Sequence, residues 1–372
     1  MISVRDFGAT ASDGADDTAA INKAIAAGSS IYFPPGRYHY TGRMTLPASR
    51  AFRIYGDGPG VSSIFFTGPD AGIHAPSVND NTLNIDGLTI AAVTRAAGTA
   101  ISATFNRGDF AKIRTASIQN VEIRGSNRTG NTGGYWTNGI YLYQAPNSVI
   151  DKVVIEGNVG MTKTGIQWSS PEATATTGIF LTSTEIKFCD TAVLTSGWVE
   201  GFYMSGFEVV LCGSAGHSAL HLQSSRADSP SPAFTLINGH VDFFADGVWM
   251  VNLSAVKVCH VDFHHTSPLA LDGTHLLLNN CIGAIVADCS FTSQTNKINN
   301  ENGVFLMATH QARVSGNIFR NLYPLQTGSP IVAHTGSTTV RVSENIFKAC
   351  RNSFDNYIGS EGYYDGDNVF VP

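Results

Sequence analysis

Val258-Cys259-His260-Val261-Asp262-Phe263 and Val286-Ala287-Asp288-Cys289-Ser290-Phe291 share one pattern, with apolar residues at the first, fourth and sixth positions. The pattern returns at 314–319 and 342–347, where asparagine takes the fourth position. These four copies lie 28 residues apart. A fixed period of this length is typical of a solenoid in which each repeat forms one turn.

Earlier copies of this pattern begin at Ile85, Ile118, Ile150, Leu181 and Met204, and a copy at 237–243 carries one extra residue. A second motif lies between the copies: a small residue followed by alternating apolar positions, as in Gly139-Ile140-Tyr141-Leu142. Alternation turns every second side chain inward, so stacked turns bury an apolar column that one turn alone cannot bury. We therefore predict an all-β solenoid of parallel strands with at least two sheets per turn.

Composition agrees with short strands joined by many turns, since 38 of the 372 residues are glycine and only 14% are charged. A net charge of −6 provides no strong positive field, so we expect neither a nucleic acid nor a membrane as partner. The same charge balance favours a neutral glycan over an acidic one. The six cysteines form no C-x-x-C pair, which predicts buried thiols rather than a metal or redox site.

The N-terminal region contains the one convincing helix pattern. Asp16 and Asp17 can cap it, Ile21, Ala24 and Ile25 form an apolar stripe, and glycine follows at position 28. An open solenoid end exposes its core and strand edges, so a terminal cap is physically required. We predict a cap segment over 1–40 with a helix at about 17–27, a solenoid over 41–350, and a C-terminal extension or cap over 351–372.

Three segments near the N-terminus resemble a known signature: VRDFGA at 4–9, DGADDTAAI at 13–21 and IYFPPGRY at 31–38. They resemble the pectate-lyase-like superfamily, which includes polysaccharide lyases, polygalacturonase-like hydrolases and phage tailspike depolymerases. The resemblance implies a single-stranded right-handed parallel β-helix, often a trimer among tailspikes. No signal peptide pattern opens the chain. We expect an extracellular or virion-associated protein.

In the first motif, the residue between the last two apolar positions points outward, because its neighbours point inward. In four middle turns this residue is a carboxylate, and these four are the predicted catalytic residues: Glu185, Glu208, Asp242 and Asp262. Turns stack about 4.8 Å apart. Carboxylates on adjacent turns therefore approach the spacing of retaining glycosidases, and those two turns apart approach the inverting spacing.

Candidate substrate-binding residues lie near this outward file, the row of carboxylates formed by Glu185, Glu208, Asp242 and Asp262 on successive turns. Lys187 and His264 lie two positions beyond Glu185 and Asp262 and supply a counter-charge and a proton carrier. Aromatic and polar side chains can form a groove wall and a second outward strip: Tyr135, Trp136, Tyr141, Gln167, His221 and Trp249. His260, Asp262 and His264 share a flat face, which rarely lets ligands converge, so we expect no metal site there.

These residues predict an endo-acting glycoside hydrolase that requires no cofactor. One alternative is a polysaccharide lyase, in which a base removes the proton beside a uronate carboxylate while Arg124, Lys187 or calcium neutralises charge. Another is a tailspike or adhesin module that binds its glycan without cleaving it. Outward apolar residues near the C-terminus predict a homotrimer: Phe305, Met307, Ile318, Val332 and Ile346.

Overall fold

The computed structural model describes residues 2–48, 50–78, 82–105, 114–126, 133–266, 272–294, 300–322, 328–350, 354–356, 362–364 and 367–371. The chain is a nearly all-β parallel solenoid of about 11 turns. Over the described residues its one α-helix, α1, spans Thr18–Ala27. The predicted solenoid and N-terminal helix are confirmed. None of the described helices is long and apolar enough to span a membrane.

Two compact units divide the chain, at residues 1–189 and 190–372. In the first unit a 3-10 helix spans Val4–Phe7. Its strands are β1 Ile2–Ser3, β2 Ser30–Phe33, β3 Gly36–Thr45, β4 Phe52–Gly56, β5 Ser62–Val78, β6 Leu83–Ala92, β7 Gly98–Phe105, β8 Ala116–Gly125, β9 Asn138–Tyr143, β10 Ser148–Glu156, β11 Thr164–Ser169, β12 Thr176–Thr182 and β13 Glu185–Lys187. Every pairing resolved among these strands is parallel, as in a solenoid.

The first unit is held by stacking of identical inward residues. Ile54, Ile85, Ile118 and Ile150 occupy one register on β4, β6, β8 and β10, and all four are fully buried. Near the N-terminal end of this unit, Arg50 donates from Nη2 to the Ile25 and Ala26 carbonyls at 2.6 and 3.2 Å. These hydrogen bonds satisfy carbonyl groups in the last turn of α1. β1 already pairs with β2, so strands begin inside the predicted cap segment; the boundaries at 40 and 351 stay predictions.

The second unit contains β14 Thr191–Ser196, β15 Val199–Cys212, β16 Ser218–Gln223, β17 Ser231–Pro232, β18 Phe234–Phe243, β19 Asp246–Val251, β20 Leu253–Ser254, β21 Lys257–His265, β22 Gly273–Asn279, β23 Ile285–Ala287, β24 Ser290–Ser293, β25 Glu301–Met307, β26 His310–Ser315, β27 Ile318–Arg320, β28 Ile331–Ala333, β29 Thr338–Ser343, β30 Ile346–Lys348, β31 Phe354–Asn356, β32 Gly362–Tyr364 and β33 Val369–Val371. The phenylalanines at the sixth position of the four copies that lie 28 residues apart stack on one another from turn to turn, which forms a ladder in the interior of this unit.

The buried rings of this ladder, with centroids 4.7 to 5.2 Å apart, are Phe263, Phe291, Phe319 and Phe347, and the exposed ring of Phe370 stacks on Phe347 at 5.2 Å. A polar ladder runs beside it. Asn345 accepts at Oδ1 from the backbone and side-chain nitrogens of Asn317, both at 3.0 Å, and Asn368 does the same for Asn345 at 2.9 and 3.0 Å. Buried turns thus keep their backbone groups hydrogen-bonded.

Candidate functional site

A cleft of about 400 Å³ opens in the first unit along strands β3, β5, β7 and β9. Its volume falls in the range of small-molecule sites. Its polar lining residues come from these strands and the turns between them: Arg43, Asp70, His74, Thr99, Ser102, Thr137 and Asn138. The cleft therefore combines a cation, a carboxylate and an imidazole with hydroxyl and amide groups.

Irregular backbone shapes this cleft. The β3–β5 register shifts between Thr41 and Arg43, and the β5–β7 register shifts between Ala71 and Ile73. Such bulges redirect side chains and are frequent beside active sites. Gly72, at φ 124°, is needed here, because a Cβ at this position would lie 2.1 Å from the Thr99 carbonyl oxygen.

His74 is the titratable centre of the cleft. Its Nδ1 lies 2.8 Å from Oγ of Ser102, its register neighbour on β7. Burial lowers the pKa of His74 below its usual value, and the charge of Arg43 lowers it further. When Nδ1–H donates to Ser102, the lone pair resides on Nε2. At neutral pH the ring is therefore uncharged and can accept a proton.

Arg43 supplies the positive charge. Its Nη2 lies 3.9 Å from Oδ2 of Asp70, and its Nε donates to the Asp70 carbonyl at 3.4 Å. The two side chains are 50% and 80% exposed. Exposed ion pairs of this kind contribute about 0–1 kcal/mol. The guanidinium can consequently exchange Asp70 for the carboxylate of a ligand at low cost.

Two predicted substrate-binding residues extend the same outward file. Tyr141 is the register neighbour of Ser102, and Gln167 is the register neighbour of Tyr141. Burial raises the pKa of Tyr141, so its phenol remains protonated at neutral pH. Gln167 donates from Nε2 to Oγ of Ser169 at 3.1 Å. The file thus runs from the cleft along further hydrogen-bonding side chains.

The prediction that Trp136 forms a groove wall is wrong. Its side chain is only 3% exposed, it packs edge-on against Phe66 at 5.7 Å, and its Nε1 donates to the Ile90 carbonyl at 3.3 Å. A large ring with a satisfied N–H gains more from this burial than from exposure. Tyr135 beside it is half-buried. Residues 127–132 of the same insertion lie outside the described part of the chain.

In the second unit, Glu208 and Asp262 share one outward register, and their catalytic role stays a prediction. Glu208 pairs with His240, His240 with Asp262, and Asp262 with Ser290. Asp242 lies two positions further along its strand and pairs with His264. The assignment of Asp242 to the same file as Glu208 and Asp262 is therefore corrected: a histidine stands in its place.

The cause of this error is a hidden copy of the motif. Its apolar positions are Leu236, Gly239 and Val241, which pair with Val258, Val261 and Phe263. Because glycine has no side chain, Gly239 cannot be recognised in the sequence as the apolar fourth position of the motif. The ring of Phe207 fills its space, since a Cβ on Gly239 would lie 2.2 Å from that ring.

Asp262 and Lys187, two further predicted site residues, each form a polar contact with a residue of their own unit. Asp262 accepts a hydrogen bond from Oγ of Ser290 at 2.5 Å. In the first unit, Lys187 forms an ion pair with Glu185 on β13, as the predicted counter-charge would.

His221 and Trp249 are neighbours on the outward file of β16 and β19, with ring centroids 5.5 Å apart in an edge-on contact. Burial lowers the pKa of His221. The two rings form a half-exposed aromatic surface, and their role in substrate binding stays a prediction.

Sequence reasoning missed Arg43, His74 and Ser102. The second motif could have found two of them, because Gly72-Ile73-His74-Ala75 and Ala100-Ile101-Ser102-Ala103 follow the same order as Gly139-Ile140-Tyr141-Leu142. Continuing that motif toward the N-terminus predicts the outward file from His74 through Ser102 to Tyr141. Arg43 had no such signal, since a bulge places it in the cleft.

Solved structures with the same fold are similar to the whole chain at low sequence identity. The A-module of the Azotobacter vinelandii mannuronan C-5 epimerase AlgE6 matches with a TM-score of 0.67 at 17% identity, covering 100% of both chains. Tailspike protein 3 of bacteriophage CBA120 matches with a TM-score of 0.56 at 13% identity, covering 100% of this chain and 61% of that one.

The catalytic unit of a GH87 α-1,3-glucanase from Streptomyces thermodiastaticus matches with a TM-score of 0.53 at 11% identity, covering 100% of this chain and 68% of that one. No curated protein sequence matches the chain. A family model described as rhamnogalacturonase A/epimerase, pectate lyase-like, matches residues 1–217, which include the whole cleft. With this match over more than half its length, the chain belongs to the rhamnogalacturonase A/epimerase, pectate lyase-like family.

Proposed function

We propose that this chain processes an acidic polysaccharide by removing the proton beside a uronate carboxylate in the cleft of the first unit. The observation that carries this proposal is that His74, in contact with Ser102 and with its pKa lowered by burial, lies in one cleft with Arg43. Family membership supports a carbohydrate-active enzyme. The names of the epimerase and glucanase with similar folds agree with a polysaccharide substrate.

Charge neutralisation is the first requirement of this chemistry. A proton beside a carboxylate is weakly acidic because its removal places a second negative charge on the same group. Arg43 offers a guanidinium that binds a carboxylate through two parallel hydrogen bonds. Arg124, an earlier candidate for this task, is engaged with Glu122 at 3.2 Å. Arg43 therefore supplies the local positive charge that an acidic substrate requires in a chain whose net charge is negative.

Proton transfer is the second requirement. Nε2 of His74 takes the proton, and the electron pair of the broken C–H bond moves toward the carboxylate held by Arg43. The Tyr141 phenol then gives its proton in one of two ways: to the glycosidic oxygen as the intermediate expels it, or to the carbon on the face opposite His74. The first outcome is β-elimination and the second is epimerisation.

A glycan panel tests the reaction class. The protein is incubated with polyuronates and with neutral glycans, and unsaturated products, new reducing ends and sugar configuration are measured. Proton removal gives unsaturated ends or inverted uronates from polyuronates alone, and activity persists in EDTA because Arg43 replaces calcium. New saturated reducing ends from a neutral glycan would contradict the proposal.

Hydrolysis by the carboxylate file of the second unit is the second candidate. Glu208 and Asp262 lie two strands apart in one file with His240 between them. Strand spacing places such residues about 9.6 Å apart, close to the ~6.5–9.5 Å of inverting glycosidases. Saturated reducing ends that disappear in Glu208→Gln would support this candidate and not the first.

We also propose that the protein acts as an extracellular or virion-associated homotrimer. Apolar side chains of the second unit support this, since Ile346, Val369 and Phe370 are 38%, 52% and 54% exposed. The prediction that Val332 faces outward is wrong, because its side chain is buried. Light scattering combined with size exclusion measures the mass in solution. A monomeric mass at micromolar concentration would contradict the trimer.

A further inference from the structure

A second cluster of titratable side chains lies in the interior of the second unit. His265 ends β21, His275 lies in β22 and Glu301 opens β25, and their side chains are 0%, 0% and 1% exposed. Both imidazoles converge on one oxygen, Oε1 of Glu301, with Nδ1 of His265 at 2.9 Å and Nε2 of His275 at 3.1 Å. The three donor atoms lie within 4.8 Å of one another.

The surroundings fix the orientation of both rings. Nε2–H of His265 donates to the Phe244 carbonyl at 3.0 Å, which directs its Nδ1 toward Glu301. Phe243 stacks on His265 at 4.8 Å with an interplanar angle of 6° and meets His275 edge-on at 5.0 Å. A backbone carbonyl bound to the far nitrogen is the usual support of a metal-binding histidine.

The hydrogen bonds of the neutral histidines and an ionised Glu301 do not account for all the short contacts in this cluster. Because Nε2 of His265 already donates, the short contact between its Nδ1 and Glu301 requires a proton between them, and therefore a buried charge pair or a neutral acid. A cation at the point of convergence would replace the shared proton and bind all three donors.

The donor set also identifies the kind of cation. Two imidazoles and one carboxylate suit zinc and its transition-metal neighbours, whereas calcium and magnesium prefer oxygen donors. Tetrahedral zinc with bonds of about 2.0–2.1 Å separates its donors by about 3.3 Å, close to the two contacts seen here. The second oxygen of Glu301 can complete a four-donor set.

We propose that His265, His275 and Glu301 form a buried structural site for a divalent transition metal, zinc in the first place. The site lies in the core of the second unit and holds β21, β22 and β25 together. It goes beyond the proposed function and is independent of it, since none of its residues lines the cleft.

Refolding the full chain tests this site. The protein is unfolded in denaturant with a chelator, desalted, and refolded with zinc or without metal, and metal content and melting temperature are measured. We expect one zinc per chain and a higher melting temperature in the zinc sample. Wild-type protein that retains no zinc after desalting and melts identically in both samples would overturn the proposal, whatever the variants do.

Cobalt identifies the ligands. Refolding with Co²⁺ should give the visible bands of a four-coordinate ion without the ultraviolet charge-transfer band of a thiolate. His275→Gln should lose these bands. His264→Gln, the matched control beside His265 on the outward face, should keep them. A thiolate band, or visible bands that persist in His275→Gln, would place the metal elsewhere and overturn the assignment.

Discussion

The two units use the same solenoid differently. In the second, copies 28 residues apart stack phenylalanine on phenylalanine and asparagine on asparagine. In the first, the register shifts three times along β5: once against β3, between Thr41 and Arg43, and twice against β7, between Ala71 and Ile73 and between Ala75 and Val78. Regular repetition produces a continuous core, whereas the departures from it create the cleft. Reactive groups gather where the repeat is broken.

The units also differ in how they present charge. The first places Arg43 and a neutral His74 in one cleft. The second leaves Glu208 and Asp262 on an exposed face, where Ser290 already bonds Asp262. A substrate that fills a cleft displaces water from it and strengthens the electrostatic interactions there, which a substrate on an open face does less. This contrast leads us to assign the chemistry to the first unit.

Removing the imidazole of the cleft should have the largest effect. His74→Gln should reduce kcat/KM on a polyuronate by about 10²–10⁴-fold, because a positioned base contributes that much, with little change in thermal melting. His310→Gln is the matched control, since His310 forms the same 2.8 Å contact with a threonine hydroxyl in the second unit. Equal activity of the two variants would remove the basis for assigning the chemistry to the cleft.

The phenylalanine ladder should dominate the stability of the second unit. Phe319→Ala should lower the free energy of unfolding by about 3–5 kcal/mol, because it empties a fully buried site between Phe291 and Phe347. Arg320→Ala, on the exposed next residue, should change it by no more than about 0.5 kcal/mol. Denaturant titration measures both, and similar values for the two would contradict the ladder's role.

Arg43 should matter for acidic substrates. Arg43→Gln removes a charge-assisted hydrogen bond of about 1.5–3 kcal/mol and should reduce kcat/KM roughly tenfold to a hundredfold. The matched control is Arg53→Gln, whose guanidinium lies over the Tyr55 ring, outside the cleft. If Arg43→Gln retained wild-type kinetics, the carboxylate of the substrate would have to bind elsewhere.

The pH profile should report the environment of His74. Its pKa is lowered in the folded protein, so the acid limb of kcat/KM should lie below the ordinary value of 6.5. The unfolded chain binds this proton more readily, so the contribution of His74 to stability is complete above 6.5 and is lost as pH falls through the folded pKa. Arg43→Gln should move the acid limb upward. An acid limb at or above 6.5 in wild type would contradict a neutral His74.

The exposed carboxylate should matter least. Glu208→Gln should leave proton removal and melting within the error of measurement, because surface changes are usually within about 0.5 kcal/mol. Glu344→Gln, another exposed carboxylate, is the control. A selective loss of activity in Glu208→Gln would instead transfer the chemistry to the second unit.

The sequence predicted the fold well because stacking repeats a local pattern, so alternation alone predicted a buried apolar column, which the structure forms from stacked isoleucines and phenylalanines. It predicted the outward position of Tyr141 for the same reason. Asp242 was misplaced because Gly239 has no side chain to mark its position, and Phe207 compensates from a neighbouring turn.

Local sequence patterns could not predict the cleft. Arg43 enters it through a bulge, and Gly72 permits a close backbone approach that is visible only in three dimensions. The convergence of His265, His275 and Glu301 likewise joins strands that no spacing rule links. Repetition is encoded locally, whereas sites arise from contacts between turns.

Deuterium exchange tests the central claim most directly. A polyuronate is incubated with the protein in D₂O, and nuclear magnetic resonance follows the hydrogen on the carbon beside each carboxylate. We predict loss of this hydrogen from processed residues, by deuterium incorporation or elimination, with wild type and not with His74→Gln. Processed chains that retain this hydrogen throughout would contradict the account.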